Sequence, residues 1–130
     1  MDTVSVNAAA ECSANAVADA RDATRDFLEA LGQQEIAPED ADSVILVVSE
    51  LVTNALRHGG GTCTLRLTTH PDTIEVAVDD TSPRAPRMRT PDVYGGTGGF
   101  GWPMVNRLAR ATAVTPRTAG GKTVSALVAR

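Results

Sequence analysis

Glu50 and Asn54 stand four residues apart in SELVTNALRHGGG, residues 49–61, so on a helix they lie one above the other on the same face. With Glu50 at zero on a helical wheel, Val44, Ala41, Val48, Leu51, Val52, Ala55, Leu56 and Ile45 fall between about 100° and 240°, a broad core stripe. Asn54 falls near 40°, with Leu46 and Val47 flanking the pair at about −40° and 60°. The second face is therefore mixed. A carboxylate and a carboxamide among apolar neighbours suit a pocket in which an apolar wall takes a flat ligand and a few polar groups fix it. Glu50 can serve there as a general base, because an apolar setting raises a carboxyl pKa towards the working pH. Asn54 can offer a neutral amide oxygen to a magnesium ion already crowded by phosphates. The alternative is a solvated polar pair on an exposed helix.

A second stretch, YGGTGGFGWPMV at residues 94–105, sets five glycines before a helical segment. Backbone N–H groups and the positive end of a helix dipole then meet at one point, which makes an anion site suited to phosphate. Gly96, Gly98 and Gly101 also fit the dinucleotide pattern GxGxxG, but that motif needs a strand before it and an acid about twenty residues after it. Pro91-Asp92-Val93-Tyr94 precedes it, and no Asp or Glu follows Asp92. Two other motifs fail in the same way. His58-Gly59-Gly60-Gly61 imitates a lipase oxyanion loop without any GxSxG elbow, and Gly121-Lys122-Thr123 imitates the end of a phosphate-binding loop whose required earlier glycine is Pro116.

These residues need elements to hold them. Val17, Ala20, Ala23, Phe27 and Leu31, with Leu28 beside them, recur at threes and fours and predict a first helix from about Ala14 to Leu31, closed by Gly32. Pro38, Glu39 and Asp40 form a favourable first turn, and Arg57, His58 and Gly59 a matching end, so a second helix is expected near 38–58. Alternation in Cys63 to Thr69 and Thr73 to Asp79 around Pro71-Asp72 marks a hairpin. Residues 81–99 read as a long loop, a feature of small domains that is usually functional. A third helix over Phe100 to Ala109, strands over Ala111–Thr115 and Lys122–Ala129, and a short edge strand at Thr3–Asn7 complete the set. The expected fold is α+β, a two-layer sandwich with a mostly antiparallel sheet covered on one face by helices.

Composition narrows the function. At 130 residues, 42% apolar and 22% charged, the chain reads as one globular domain, 1–130, able to bury a core. No apolar run reaches the ~18 residues of a membrane span, and the acidic start lacks the basic opening of a signal peptide, so a cytoplasmic location is expected. Cys12 and Cys63 have no metal-ligand spacing with either histidine, which leaves two free thiols. Residues 1–50 carry eleven acids against Arg21 and Arg25, whereas residues 81–130 carry Asp92 against seven arginines and Lys122. That asymmetry suits an anionic ligand or an acidic partner, or else two halves that neutralise each other on folding. With 3% aromatic residues, no stacking platform supports direct nucleic-acid binding.

With Glu50 and Asn54 on a helix, Asp80 after a strand, the glycine run and Gly121-Lys122-Thr123 near the end, the sequence resembles the GHKL ATPase superfamily, which has the Bergerat fold. More narrowly it is similar to the short anti-sigma-factor serine/threonine kinases of bacteria and their actinobacterial relatives. The resemblance spans nearly the whole chain, and SELVTNALRH is its most specific part. It implies ATP and Mg²⁺ as cofactors, with Asn54 on the metal and Glu50 orienting or deprotonating the attacking hydroxyl. It implies that Asp80 accepts from the adenine amino group with Thr123 supporting it from the neighbouring strand. Gly96, Thr97, Gly98, Gly99, Phe100 and Gly101 would form the phosphate-side edge of a lid running from about Pro83. Asp79 rivals Asp80, although alternation from Val76 and Val78 points Asp80 inward. Ser82 and Arg84 stand where the family usually has glycines. The implied partners are a sigma factor and an anti-sigma antagonist protein, and the family suggests a homodimer. Two other outcomes of the same resemblance are a catalytically inactive ATP-binding module that switches partners, and an interaction domain that no longer binds ATP.

Overall fold

The computed structural model describes residues 3–7, 14–31, 36–58, 63–81, 101–118 and 120–130. In chain order these form β1 (Thr3–Asn7), α1 (Ala14–Leu31), α2 (Pro38–His58), β2 (Cys63–Thr69), β3 (Thr73–Asp80), α3 (Gly101–Leu108), β4 (Ala111–Pro116) and β5 (Lys122–Ala129). The strands make one five-stranded sheet in the order β1-β2-β3-β5-β4. Every neighbouring pair in it is antiparallel.

Local chemistry sets the boundaries. The Ala41 N–H bonds the Ala37 carbonyl at 2.9 Å, so Ala37 caps α2 and Pro38 takes the first helical position, where its missing N–H costs nothing. Glu39 and Asp40 in that turn complement the helix dipole. Between β2 and β3 the His70 N–H bonds the Thr73 carbonyl at 2.8 Å, closing the hairpin around Pro71-Asp72. The buried face of α1 comprises Ala20, Thr24, Phe27 and Leu28. Thr24 replaces the expected Ala23 in that stripe, and its hydroxyl is satisfied by donating to the Ala20 carbonyl at 2.7 Å.

The alternation in the strands sorts their side chains onto two faces. Cys63, Leu65 and Leu67 of β2, Ile74, Val76 and Val78 of β3, and Val124, Ala126 and Val128 of β5 join the apolar core with Val44, Val48, Leu51, Val52, Ala55 and Leu56 of α2. Thr64, Arg66, Glu75, Asp79, Thr123 and Ser125 point to the other face and are half-buried. Helices therefore cover one face of the sheet, and α2 is the central one, touching α1, α3, β2, β3 and β5. That central place explains a departure from the wheel. Val47 is fully buried in the core instead of lining a second face, while Leu46 is 45% exposed. A helix that packs against two other helices as well as a sheet buries a wider arc than the sheet alone demands.

Candidate functional site

Glu50 and Asn54 both lie on α2, one turn apart, and both are half-buried. Their place follows from packing on either side: Val47 and Leu51 are buried beside them, and Leu46 stays outside. The pair thus sits at the margin of the core, where a carboxylate and an amide remain reachable while apolar neighbours exclude part of the water.

Asp80 ends β3 on the helix-facing side and is buried. Its neighbours across the sheet are Cys63 on β2 and Lys122 on β5. The Lys122 ammonium lies across the carboxylate, with Nζ 3.0 Å from Oδ1 and 2.9 Å from Oδ2. Both side chains are nearly sealed, at 6% and 2% exposure. Breaking such a pair from one side strands the other charge in the interior, a cost of about 3–5 kcal/mol. The row is completed by Cys63, whose thiol is pushed up from 9.0 to about 11 by burial first and by the Asp80 charge second.

This thiol gives a test with a definite sign. The folded state holds the proton up to about pH 11, whereas an unfolded chain releases it near 9.0. Its contribution to stability is therefore fully present below pH 9 and is lost as pH rises towards 11. In a Cys12→Ser background, Cys63 should resist a thiol reagent at pH 8 and react fully in denaturant. Removing the thiol by Cys63→Ala should flatten the alkaline loss of stability over that window. Rapid labelling of the folded chain at pH 8 is the contrary result.

Thr123 departs from its expected place. It is opposite Asp79 in the β3–β5 register, and its hydroxyl donates to Asp79 Oδ1 at 2.5 Å on the face away from the helices. Arg66 holds the same carboxylate oxygen at 2.8 Å. Thr123 therefore supports Asp79, not Asp80, because a period of two sends successive β5 residues to opposite faces. The same rule removes Asp79 as a rival: it is bound to Arg66 and Thr123 behind the sheet. Lys122 is the residue that the sequence reading missed. The inward run of Val124, Ala126 and Val128, extended back by two, was the signal for it.

Gly121 shapes this corner. It has φ +81°, and a Cβ placed on it would meet the Asp80 carbonyl oxygen at 2.0 Å. The turn before it is closed by bonds from the Gly120 N–H to the Arg117 carbonyl at 3.0 Å and from the Arg117 N–H to the Gly121 carbonyl at 3.1 Å. Close approach of the two backbones is what brings Lys122 against Asp80.

Topology gathers the remaining parts. His58 ends α2 and Cys63 opens β2, so the last turn of α2 lies at the Asp80 end of the sheet; five peptide steps reach at most about 18 Å. β3 ends there with Asp80, and the next described element is α3, which opens at Gly101. The far end of α3 is tied to the opposite end of β5, where the Arg110 N–H bonds the Leu127 carbonyl at 2.7 Å. Val105 and Trp102 anchor α3 on the core. Gly101 is the first residue of α3. Gly96, Thr97, Gly98, Gly99 and Phe100, with the expected lid from Pro83, lie outside the described residues.

No group of three or more His, Cys, Asp or Glu side chains suited to a metal ion occurs among the described residues. Magnesium does not require one, since it keeps water and phosphate oxygens and takes only one or two protein ligands. An amide oxygen on Asn54, next to the Glu50 carboxylate, fits that donor set. No helix among the described residues is long and apolar enough to cross a membrane.

Residues 12–127 match the family model of the histidine kinase-like ATPase domain. The structure is similar over its whole length to that of the RsbU and RsbW domains of Rv1364c from Mycobacterium tuberculosis, with TM-score 0.69 and 17% identity. This chain spans 33% of that one. It is also similar over 98% of its length to the SiaB-SiaC complex from Pseudomonas aeruginosa, covering 89% of the matched chain with TM-score 0.63 and 16% identity. At these identities the likeness is one of fold. A comparison with curated proteins returns no match.

Proposed function

The chain belongs to the histidine kinase-like ATPase family, and from that premise we propose that it is an ATP- and Mg²⁺-dependent anti-sigma factor and serine/threonine protein kinase that phosphorylates an anti-sigma antagonist. The observation that carries this reading is the half-buried Glu50–Asn54 pair in the C-terminal half of α2, the helix whose last turn lies at the Asp80 end of the sheet. Phosphoryl transfer asks a protein mainly for positioning and charge neutralisation, which a domain of this size can supply. Asn54 would hold the metal end of the nucleotide, and Mg²⁺ when bound neutralises phosphate charge. Asp80 would accept from the base. Glu50 takes the proton of the attacking hydroxyl as the serine oxygen bonds to the γ-phosphorus and the bond to ADP breaks. Partners in this reading are a sigma factor and the antagonist, met by the domain as a single unit in the cytoplasm, with a homodimer as the assembly.

Isothermal titration with ATP and Mg²⁺ tests the first half. Asn54→Ala should weaken binding by roughly 100-fold, the upper range for losing an oriented metal contact. A variant that binds as well as the parent excludes Asn54 from the metal. Incubation with γ-labelled ATP and candidate antagonist proteins tests the second half: label is expected on a serine or threonine. ATP binding without label on any candidate would favour the partner-switching module without transfer.

A further inference from the structure

We propose that the free edge of β4 is a docking site for an extended, acidic segment of another protein, which adds to the sheet as a further strand. Among the described residues β4 is the outermost strand beside β5. Ala111, Ala113, Val114, Thr115 and Pro116 are all exposed, Val114 at 37%. Exposure on both faces sets β4 apart from β2, β3 and β5, whose helix-facing residues are buried. The ladder fixes which backbone groups this edge offers. The Arg117 N–H bonds the Gly121 carbonyl at 3.1 Å, one step beyond the Pro116–Lys122 pair. Bonded pairs alternate along an antiparallel ladder, so Thr115 and Ala113 bond to β5 while Thr112, Val114 and Pro116 turn their backbone groups outward. Pro116 has no N–H to turn, and at an outward position that leaves the β4–β5 ladder whole. The edge therefore presents the N–H and carbonyl groups of Thr112 and Val114, a template for a strand from another chain.

Charge chooses the occupant. Arg110 and Arg117 flank β4, Arg107 lies on the last turn of α3, and all three are exposed. No Asp or Glu follows Asp92 in the chain, so α3, β4 and β5 contribute no acid to offset them. Asp72 of the β2–β3 turn lies 3.5 Å from Arg110, but that pair is 57% and 76% exposed and solvent screens it. A second copy of the chain is a poor fit, because pairing β4 with itself sets arginine beside arginine at both ends in either strand direction. Like charges facing each other across a strand pair are destabilising. A strand with acidic ends meets Arg110 and Arg117 with the opposite sign, which favours both its encounter and its register.

The experiment is amide hydrogen exchange by NMR on the whole chain, alone and with two end-blocked peptides. One is Glu-Glu-Thr-Val-Thr-Val-Thr-Glu-Glu, and the other has Lys in place of every Glu. Alone, the Ala113 and Thr115 amides should exchange slowly, and those of Thr112 and Val114 fast. The acidic peptide should slow Thr112 and Val114, bind at least tenfold more tightly than the basic one at low salt, and lose that advantage at high salt. Val114→Pro removes an outward N–H that β5 does not use, so it should abolish binding with the fold intact. Reversing both flanks, Arg110→Glu with Arg117→Glu, should invert the preference in favour of the basic peptide. Failure of the acidic peptide to protect Thr112 and Val114, or equal binding of the two peptides, overturns the proposal. Thr112 and Val114 amides already protected in a chain that sediments as a dimer give the edge to a second copy and overturn it as well. Should Val114→Pro fail to fold, the charge-reversed variant decides. No nucleotide enters the test, so its failure leaves the ATP reading standing.

Discussion

Glu50→Gln is expected to lower phosphoryl transfer to the antagonist by about 10²–10⁴-fold, the range contributed by a positioned general base. The replacement keeps the shape of the side chain, exchanges one acceptor oxygen for an NH₂ donor, and removes its charge and its ability to take a proton. Nucleotide affinity should stay within roughly threefold of the parent, since uniform binding and transition-state stabilisation are separable quantities. The reason for expecting this split lies in the place of Glu50 on α2. It is half-buried at the margin of the core, between exposed Leu46 and buried Val47. There the carboxylate can meet a hydroxyl from outside while its apolar neighbours limit solvation. A single-turnover assay with labelled ATP, paired with calorimetry on the same sample, reads both numbers. A parallel fall in affinity and transfer assigns Glu50 to ligand binding. Unchanged transfer removes it from the chemistry.

Gly121→Ala should be strongly damaging, lowering stability by roughly 3 kcal/mol or more and the melting temperature by roughly 10 °C or more. Two causes add. At φ +81° an L side chain is strained, and the new Cβ would lie 2.0 Å from the Asp80 carbonyl oxygen and 2.8 Å from the Thr81 Cα. Both obstacles are backbone, so no rotamer change relieves them. The neighbouring glycine supplies the control. Gly120 has φ +95° but nothing within 4 Å of a would-be Cβ, so Gly120→Ala should cost only the conformational part, about 1–2 kcal/mol. Thermal melts followed by circular dichroism separate the two. Equal shifts would mean that the β3–β5 corner opens without resistance.

That corner also marks the boundary between local and tertiary information. Periodicity alone located α1, α2 and the β2–β3 hairpin, because a stripe at threes and fours or an alternation at twos is written in neighbouring residues. The same pattern put Asp80 on the inward face. The helix dipole and the fixed φ of Pro38 marked where α2 begins. Family resemblance, carried by Glu50, Asn54, Asp80 and the glycine run, pointed to the ATPase family that the model of residues 12–127 then showed.

What lies opposite what was not legible in this way. Thr123 was expected to support Asp80, and one step of register makes it the partner of Asp79 behind the sheet. Lys122 was set aside with a failed phosphate-loop motif, yet the pairing of β5 with β3 delivers its ammonium to Asp80 across 42 residues of chain. Val47 was placed beside a pocket and proves to be core, because α2 is flanked by α1 and α3 as well as covering the sheet. Each case has one physical cause. The direction of a side chain within its own element is local, so the sequence determines it. Its partner is chosen by strand register and helix packing, which balance contacts from distant segments, and only the folded chain settles that choice.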